Sequence, residues 1–223
     1  MASVAVFWFA LQADAPQRRA WLGWLAPHER ARVERYLRPE HGERYLAAHA
    51  HLRWLLAREL GCAPAEVRFT RAPHGKPELE GGGLQFNLSH SARLGLAAIA
   101  PGGGAELGVD IEAERPRNFL ALARRFFTPA EQAWLAAQPA AQLSHGFVRL
   151  WTCKEAWMKA DGRGLAVLRQ PEVSFHTGGT QLRALGRAWW LRELDLAPGY
   201  GAAVVLAQAP ESLSVNWLPP PPP

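Results

Sequence analysis

Apolar positions in this chain follow two rhythms, and the change from one to the other marks its elements. Near the start, Val4, Val6 and Trp8 alternate with Ala5, Phe7 and Phe9, an apolar run that suits a buried strand. Period-two segments bounded by turn residues recur at 67–70, 84–88, 94–100, 107–112, 173–176, 181–184, 188–194 and 202–207, and each is predicted as a strand. Between them the apolar spacing lengthens to that of a helix, and proline marks where helices begin, because its fixed φ and missing N–H suit the first helical position. Asp14-Ala15-Pro16 and Ala26-Pro27 open short helices, and Pro39 opens a long one that runs to Leu60 and stops at Gly61. Thr128-Pro129-Ala130-Glu131 opens another, and Pro139 is predicted to open a second long helix running toward Ala160.

The order repeats. Glu66-Val67-Arg68-Phe69 follows the first long helix and Glu172-Val173-Ser174-Phe175 follows the second, while the small-residue strand at 95–100 is echoed at 201–207. This predicts an α+β fold made by pseudo-two-fold duplication of two similar halves, 1–104 and 105–214, followed by a Pro-rich tail at 215–223. The interface of two such halves is a natural place for a ligand cleft. No stretch approaches the roughly 20 apolar residues of a membrane span. The apolar start is short and lacks the charged leader of a secretory signal.

Charge narrows the function. The net charge of +5 favours an acidic partner or ligand. The basic residues are scattered rather than forming the run expected of a nucleic-acid patch. Two cysteines, Cys62 and Cys153, make neither a disulfide framework nor a zinc site, so a reducing, cytoplasmic setting is expected. Of 25 basic residues only three are lysine, at 76, 154 and 159, and two of these flank Glu155 within six residues. A compact ammonium and a forked guanidinium are not interchangeable beside a phosphate or metal, so the segment Trp151–Lys159 is a candidate for chemistry.

The strand at 107–112 places Leu107, Val109 and Ile111 on one face and Gly108, Asp110 and Glu112 on the other. Two carboxylates sharing a strand face are either solvated or gathered round a cation, and oxygen ligands of this kind suit Mg²⁺. On the following long helix, Trp151, Glu155, Met158 and Lys159 share a face, so Glu155 can complete the set and Lys159 can meet a phosphate. An i,i+4 ion pair between them is the simpler reading of that spacing. Glu131 stands at the third position of a capping box with Thr128, a structural role that its sequence position already explains. Phe86-Asn87-Leu88-Ser89-His90-Ser91 ends a strand, and its hydroxyl and imidazole make better phosphate ligands than a nucleophile–base pair. His49 and His51 diverge on a helix and do not share a metal.

Taken together and in order, Gly75-Lys76-Pro77, the segment 86–91, Gly108-Val109-Asp110-Ile111-Glu112, Arg125-Phe126-Phe127-Thr128 with Glu131, and Trp151–Lys159 resemble the 4′-phosphopantetheinyl transferases of the surfactin-synthetase type. The resemblance runs from about residue 30 to 207. It implies coenzyme A bound between the halves and transfer of its phosphopantetheine to a serine of an apo acyl or peptidyl carrier protein, releasing adenosine 3′,5′-bisphosphate. Asp110, Glu112 and Glu155 match its metal-ligand positions, for Mg²⁺ or Mn²⁺. Lys159 matches a pyrophosphate contact and, with Glu155 and Glu131, the catalytic positions. Arg44, Lys76, Ser89 and His90 match coenzyme A contacts, and Arg30 and Arg32 lie where the family carries basic residues for the 3′-phosphate. The expected partner is an acidic carrier protein, with no nucleic acid and no membrane, and the chain is expected to act as a monomer in the cytoplasm. Two other readings remain open on the residues: a basic module for an acidic partner, and another Mg²⁺-dependent phosphoryl-transfer enzyme.

Overall fold

The computed structural model describes residues 3–102, 106–116 and 118–223. The same sequence of eight elements occurs twice. The first set is β1 (Ser3–Ala10), α1 (Ala15–Trp24), α2 (Pro27–Arg35), α3 (Pro39–Leu60), β2 (Phe69–Arg71), β3 (Pro77–Leu79), β4 (Leu84–Ser91) and β5 (Leu94–Pro101). The second is β6 (Leu107–Ala113), α4 (Phe119–Phe126), α5 (Pro129–Ala136), α6 (Leu143–Asp161), β7 (Glu172–His176), β8 (Gly179–Ala184), β9 (Arg187–Glu193) and β10 (Tyr200–Leu206). A last strand, β11 (Ser212–Trp217), has no counterpart. Pairing repeats as well: β5 lies antiparallel to β1 and β4, as β10 does to β6 and β9.

The sheets have the orders β11-β1-β5-β4 and β6-β10-β9-β8-β7, with β2–β3 apart. Strand alternation divides the side chains among three cores. Val4, Val6, Leu96 and Ala98 meet Leu107, Val109, Ile111 and Val204 between the sheets. Phe9, Ala97 and Ile99 turn outward onto α3, and Ala203 and Val205 onto α6. The result is a helix–sheet–sheet–helix stack, the two-half α+β architecture expected from the echo.

Several boundaries differ from expectation. Pro139 does not start α6: a 3₁₀ turn at Ala140–Gln142 intervenes and the helix begins at Leu143. Helix α4 and strands β3 and β11 are not among the predicted elements. The tail expected from residue 215 is displaced, because residues 215–217 belong to β11, which runs parallel to β1 from Ser3↔Ser212 to Trp8↔Trp217. Leu218 is buried in the N-terminal core and its N–H donates to Trp8 O. The expected boundary between 104 and 105 lies outside the described residues.

Candidate active site

Strand β6 carries the site because it touches both halves. On one side, Gly108 lets α6 approach: a Cβ there would lie 2.0 Å from Ala156 O and 2.5 Å from Ala160 N. On the other, β4 offers side chains where a neighbouring strand would offer carbonyls. Asn87 Oδ1 accepts from the Val109 N–H at 2.9 Å and Ser91 Oγ from the Ala113 N–H at 3.1 Å, with Ser89 Oγ near the Ile111 N–H at 3.4 Å. Three alternate polar residues of one strand thus engage three alternate amides of the other, satisfying donors that burial would otherwise penalise.

The same residues reach the carboxylates. Ser89 Oγ donates to Asp110 Oδ1 at 2.7 Å and Ser91 Oγ to Glu112 Oε2 at 2.7 Å. From α6, Lys159 Nζ donates to Asp110 Oδ1 at 2.6 Å and to Ser89 Oγ at 2.8 Å. Asp110 is buried, and its second oxygen, Oδ2, has no partner among the described residues. Glu155 lies on the same helix, one turn before Lys159. Burial lifts its pKa to about 7, with Asp110 and then Glu112 adding to the rise and Lys159 opposing it. Glu155 thus feels Asp110, Glu112 and Lys159, which lie on the shared faces of β6 and α6.

Among the described residues no group of three or more His, Cys, Asp or Glu side chains is drawn together tightly enough to hold a metal ion. The donor set still fits one in kind. Asp110 Oδ2 is a buried oxygen without a partner among the described residues, and the neighbouring Glu112 and Glu155 carry hard oxygen donors of the sort Mg²⁺ takes.

Glu131 and Lys154 do not join this group. Glu131 Oε2 accepts from the Thr128 N–H at 2.8 Å and closes the capping box, and Oε1 accepts from the Val173 N–H at 2.8 Å. Lys154 Nζ donates to Oε1 at 3.0 Å, to Oε2 at 2.8 Å and to Pro171 O at 2.6 Å. A carboxylate has about four acceptor sites and an ammonium three donors, so both groups are saturated. Both side chains are wholly buried, and Glu131 has no oxygen left for a metal or an incoming hydroxyl. The catalytic expectation for Glu131 gives way to a structural one.

A cleft of about 530 Å³ opens in the N-terminal half, lined by Arg32, Tyr45, His49, Arg71, Phe86 and His90 among others. Two smaller cavities adjoin it through shared residues. One, of about 270 Å³, holds Lys76, Asn87, Met158 and Lys159, and the other, of about 240 Å³, holds Arg44, His90, Ser91, Glu112 and Arg115. This cleft is thus lined from one half, and its extensions lead to the seam where Glu112 and Lys159 lie. The pKa of His90 is lowered by desolvation, then by the cations Lys159, Arg32 and Arg44, against Asp110. Its residue is solvent-exposed, so the cations are the firmer cause.

The expected cation set divides accordingly. Arg32, Arg44 and Lys159 line these spaces. Lys76 does too, but its ammonium already donates to Leu107 O at 3.0 Å and Ala160 O at 3.3 Å. Arg30 is exposed, lines none of these cavities and reaches toward Leu22 O instead, so it is removed from the set. Asn87 and Ser91 fall in the 86–91 segment but carry no predicted role, although polar residues at period two inside a strand signal them. Sequence reasoning missed Tyr45, His49 and Arg71. His49 and His51 diverge as expected, one lining the cleft and the other stacked on Phe9 in the core.

Comparison with known proteins gives a consistent result. A family model described as the 4′-phosphopantetheinyl transferase superfamily matches residues 106–205, and one described as 4′-phosphopantetheinyl transferase, N-terminal, matches residues 12–101. The 4′-phosphopantetheinyl transferase HetI of Nostoc sp. is 39% identical over 188 residues, covering 82% of this chain and 78% of its own. The protein slr0495 of Synechocystis sp. is 40% identical over 157 residues, covering 69% of this chain and 63% of its own length. The 4′-phosphopantetheinyl transferase Sfp of Bacillus subtilis is 27% identical over 218 residues, covering 93% and 96% respectively.

Proposed function

The chain belongs to the 4′-phosphopantetheinyl transferase family, and from that premise we propose that it moves 4′-phosphopantetheine from coenzyme A to a serine of an apo acyl or peptidyl carrier protein. The observation that carries this reading is the junction of Lys159, Asp110 and Ser89 beside the raised carboxyl of Glu155, drawn from both halves and reached from a cation-lined cleft. Arg32, Arg44, His90 and Lys76 orient the phosphates of coenzyme A. Lys159 offers its ammonium to the pyrophosphate. Asp110, Glu112 and Glu155 would hold Mg²⁺, or Mn²⁺ in its place, and when bound it would supply charge neutralisation at the departing phosphate.

The serine oxygen bonds to the β-phosphorus while that atom's bond to the bridging oxygen breaks. Adenosine 3′,5′-bisphosphate leaves with the bond pair, and Glu155 takes the serine proton. Such transfers rely on positioning and charge stabilisation more than on covalent help, so no nucleophile of the chain's own is required. The net charge of +5 favours encounter with an acidic carrier protein. The reading includes the surfactin-synthetase type, on the strength of the match to Sfp along 93% of the chain. It also takes the halves 1–104 and 105–214 as one monomeric working unit in the cytoplasm.

Intact mass spectrometry of apo carrier proteins incubated with the protein, coenzyme A and Mg²⁺ tests this. One phosphopantetheinyl increment per carrier, lost on chelation, is the expected result. Release of phosphate from nucleotides with no carrier modification would overturn it.

A further inference from the structure

The saturated pair Glu131–Lys154 has a twin in the other half. Glu29 stands third in α2 after Ala26-Pro27, as Glu131 stands third in α5 after Thr128-Pro129. Glu29 Oε2 accepts from the Ala26 N–H at 2.8 Å, as Glu131 Oε2 does from the Thr128 N–H. Glu29 Oε2 is held by Arg53 of the long helix α3, at 2.6 Å, and Arg53 continues to Pro64 O at 3.2 Å and Val67 O at 2.8 Å, just before β2. In the second half Lys154 of α6 continues to Pro171 O, and Glu131 to the Val173 N–H, at the start of β7. The acid precedes the cation by 24 residues in one half and 23 in the other, and both pairs are buried.

The N-terminal copy belongs to a half that carries neither Asp110 nor Glu155, and although Glu29 borders the cleft, its carboxylate is held by the same kind of cap and buried cation as Glu131. Each pair joins the cap of a short helix to the middle of the long helix and to the segment entering the next strand. The two copies differ in the cation. Arg53 spreads over a carboxylate and two carbonyls, while Lys154 meets three acceptors with three donors under the Phe127 ring, 5.8 Å from its centroid. That accounts for one of the chain's scarce lysines without a phosphate.

We propose that Glu131 and Lys154 are positioning residues: they are the C-terminal copy of a duplicated buried brace that fixes α6 against α5 and β7, and so sets Glu155 and Lys159 against β6. Glu131 is then neither metal ligand nor proton acceptor. The catalytic half of this statement rests on the transferase reading above; the brace itself does not.

The test uses Glu131→Gln and Lys154→Met, singly and together. The readouts are urea unfolding, hydrogen exchange over residues 143–161, and the kcat, KM and pH profile of carrier labelling. Each single change leaves a buried partner uncompensated, so the unfolding midpoint and α6 protection are expected to fall. The double variant removes both charges and is expected to regain most of the midpoint, the protection and kcat, with the pH profile keeping its shape. Where a single variant does not fold, the double variant decides. A general base would give a different pattern: Glu131→Gln would keep the parent midpoint and lose about 10²–10⁴-fold in kcat, and the double variant would lose as much. That pattern overturns the proposal, as does a folded double variant with parental α6 protection and no labelling. A parent protein that labels no carrier refutes the transferase reading alone, because midpoints and exchange need no substrate and still judge the brace.

Discussion

Lys159 and Asp110 form a half-buried ion pair across the seam between α6 and β6, with 2.6 Å between Nζ and Oδ1 and Ser89 Oγ bridging both. The pair leaves Asp110 Oδ2 without a partner among the described residues, although that oxygen is buried. An unsatisfied buried oxygen in a native site calls for an explanation. A cation arriving with substrate would supply one.

If so, Asp110→Asn and Glu155→Gln should abolish carrier labelling while the chain stays folded. The lost interactions matter chiefly when charge develops, and removing a comparable stabilising group costs about 10²–10³-fold in kcat. Labelling assayed by intact mass, beside a circular dichroism melt, checks both halves of the statement. Near-parental labelling by either variant removes these residues from the site.

Lys159→Arg should be damaging too. An ammonium already meets two acceptors at 2.6 and 2.8 Å in this space, and a longer planar fork cannot take both from the same Cα. A loss of at least about tenfold in kcat/KM with an unchanged melting temperature is expected, since losing one charged hydrogen bond costs about 1.5–3 kcal/mol. Parental turnover would show that an arginine serves equally well at this position.

Much of this was legible because periodicity carries information about faces. Alternation along 107–112 separated Asp110 and Glu112 from the inter-sheet apolar residues, and helical spacing put Glu155 beside Lys159. What stayed hidden depends on tertiary partners. β11 alternates Ser212, Ser214 and Asn216 with Leu213, Val215 and Trp217, a strand signal hidden by the tail reading, but it is mostly exposed and its place beside β1 depends on a pairing about 200 residues away. Lys154 falls off the face carrying Glu155 and Lys159 by helical spacing, yet its role required knowing that Glu131 and Pro171 converge on it. Arg71 and Tyr45 line the cleft from segments whose sequence reads as ordinary surface and core.

His51 should make the protein acid-sensitive in the region below neutrality. It is fully buried, stacked on Phe9 at 4.1 Å and edge-on to Trp21, and its Nδ1 faces Ala47 O at 2.7 Å. Burial lowers its pKa to about 4, with the Ala47 carbonyl opposing. The unfolded chain therefore binds the proton first, so the stabilising contribution is complete above about pH 6.5 and lost as pH falls toward 4. The span amounts to about 3 kcal/mol. Urea midpoints measured from pH 7.5 to 4 should show a smaller slope in His51→Phe, with His49, also lowered to about 4 by burial, retaining a share. An unchanged slope would mean that His51 accepts its proton in the folded state.

Gly108→Ala offers a test of the geometry that brings β6 to α6. The added methyl would lie 2.0 Å from Ala156 O and 2.5 Å from Ala160 N, both backbone atoms of the helix that carries Glu155 and Lys159. Neither can rotate aside as a side chain would, so the helix must move away from the strand. Overpacking of a core costs about 1–3 kcal/mol even when side chains absorb it, and here the cost should reach the top of that range. The displacement also separates Lys159 from Asp110. Labelling should thus fall further in Gly108→Ala than in Gly178→Ala, a control whose added methyl meets nothing within 4 Å. Thermal melts and labelling rates compared at a temperature where both remain folded distinguish a moved site from mere instability. A folded Gly108→Ala with parental labelling would show that the close approach of strand and helix is not what sets the site.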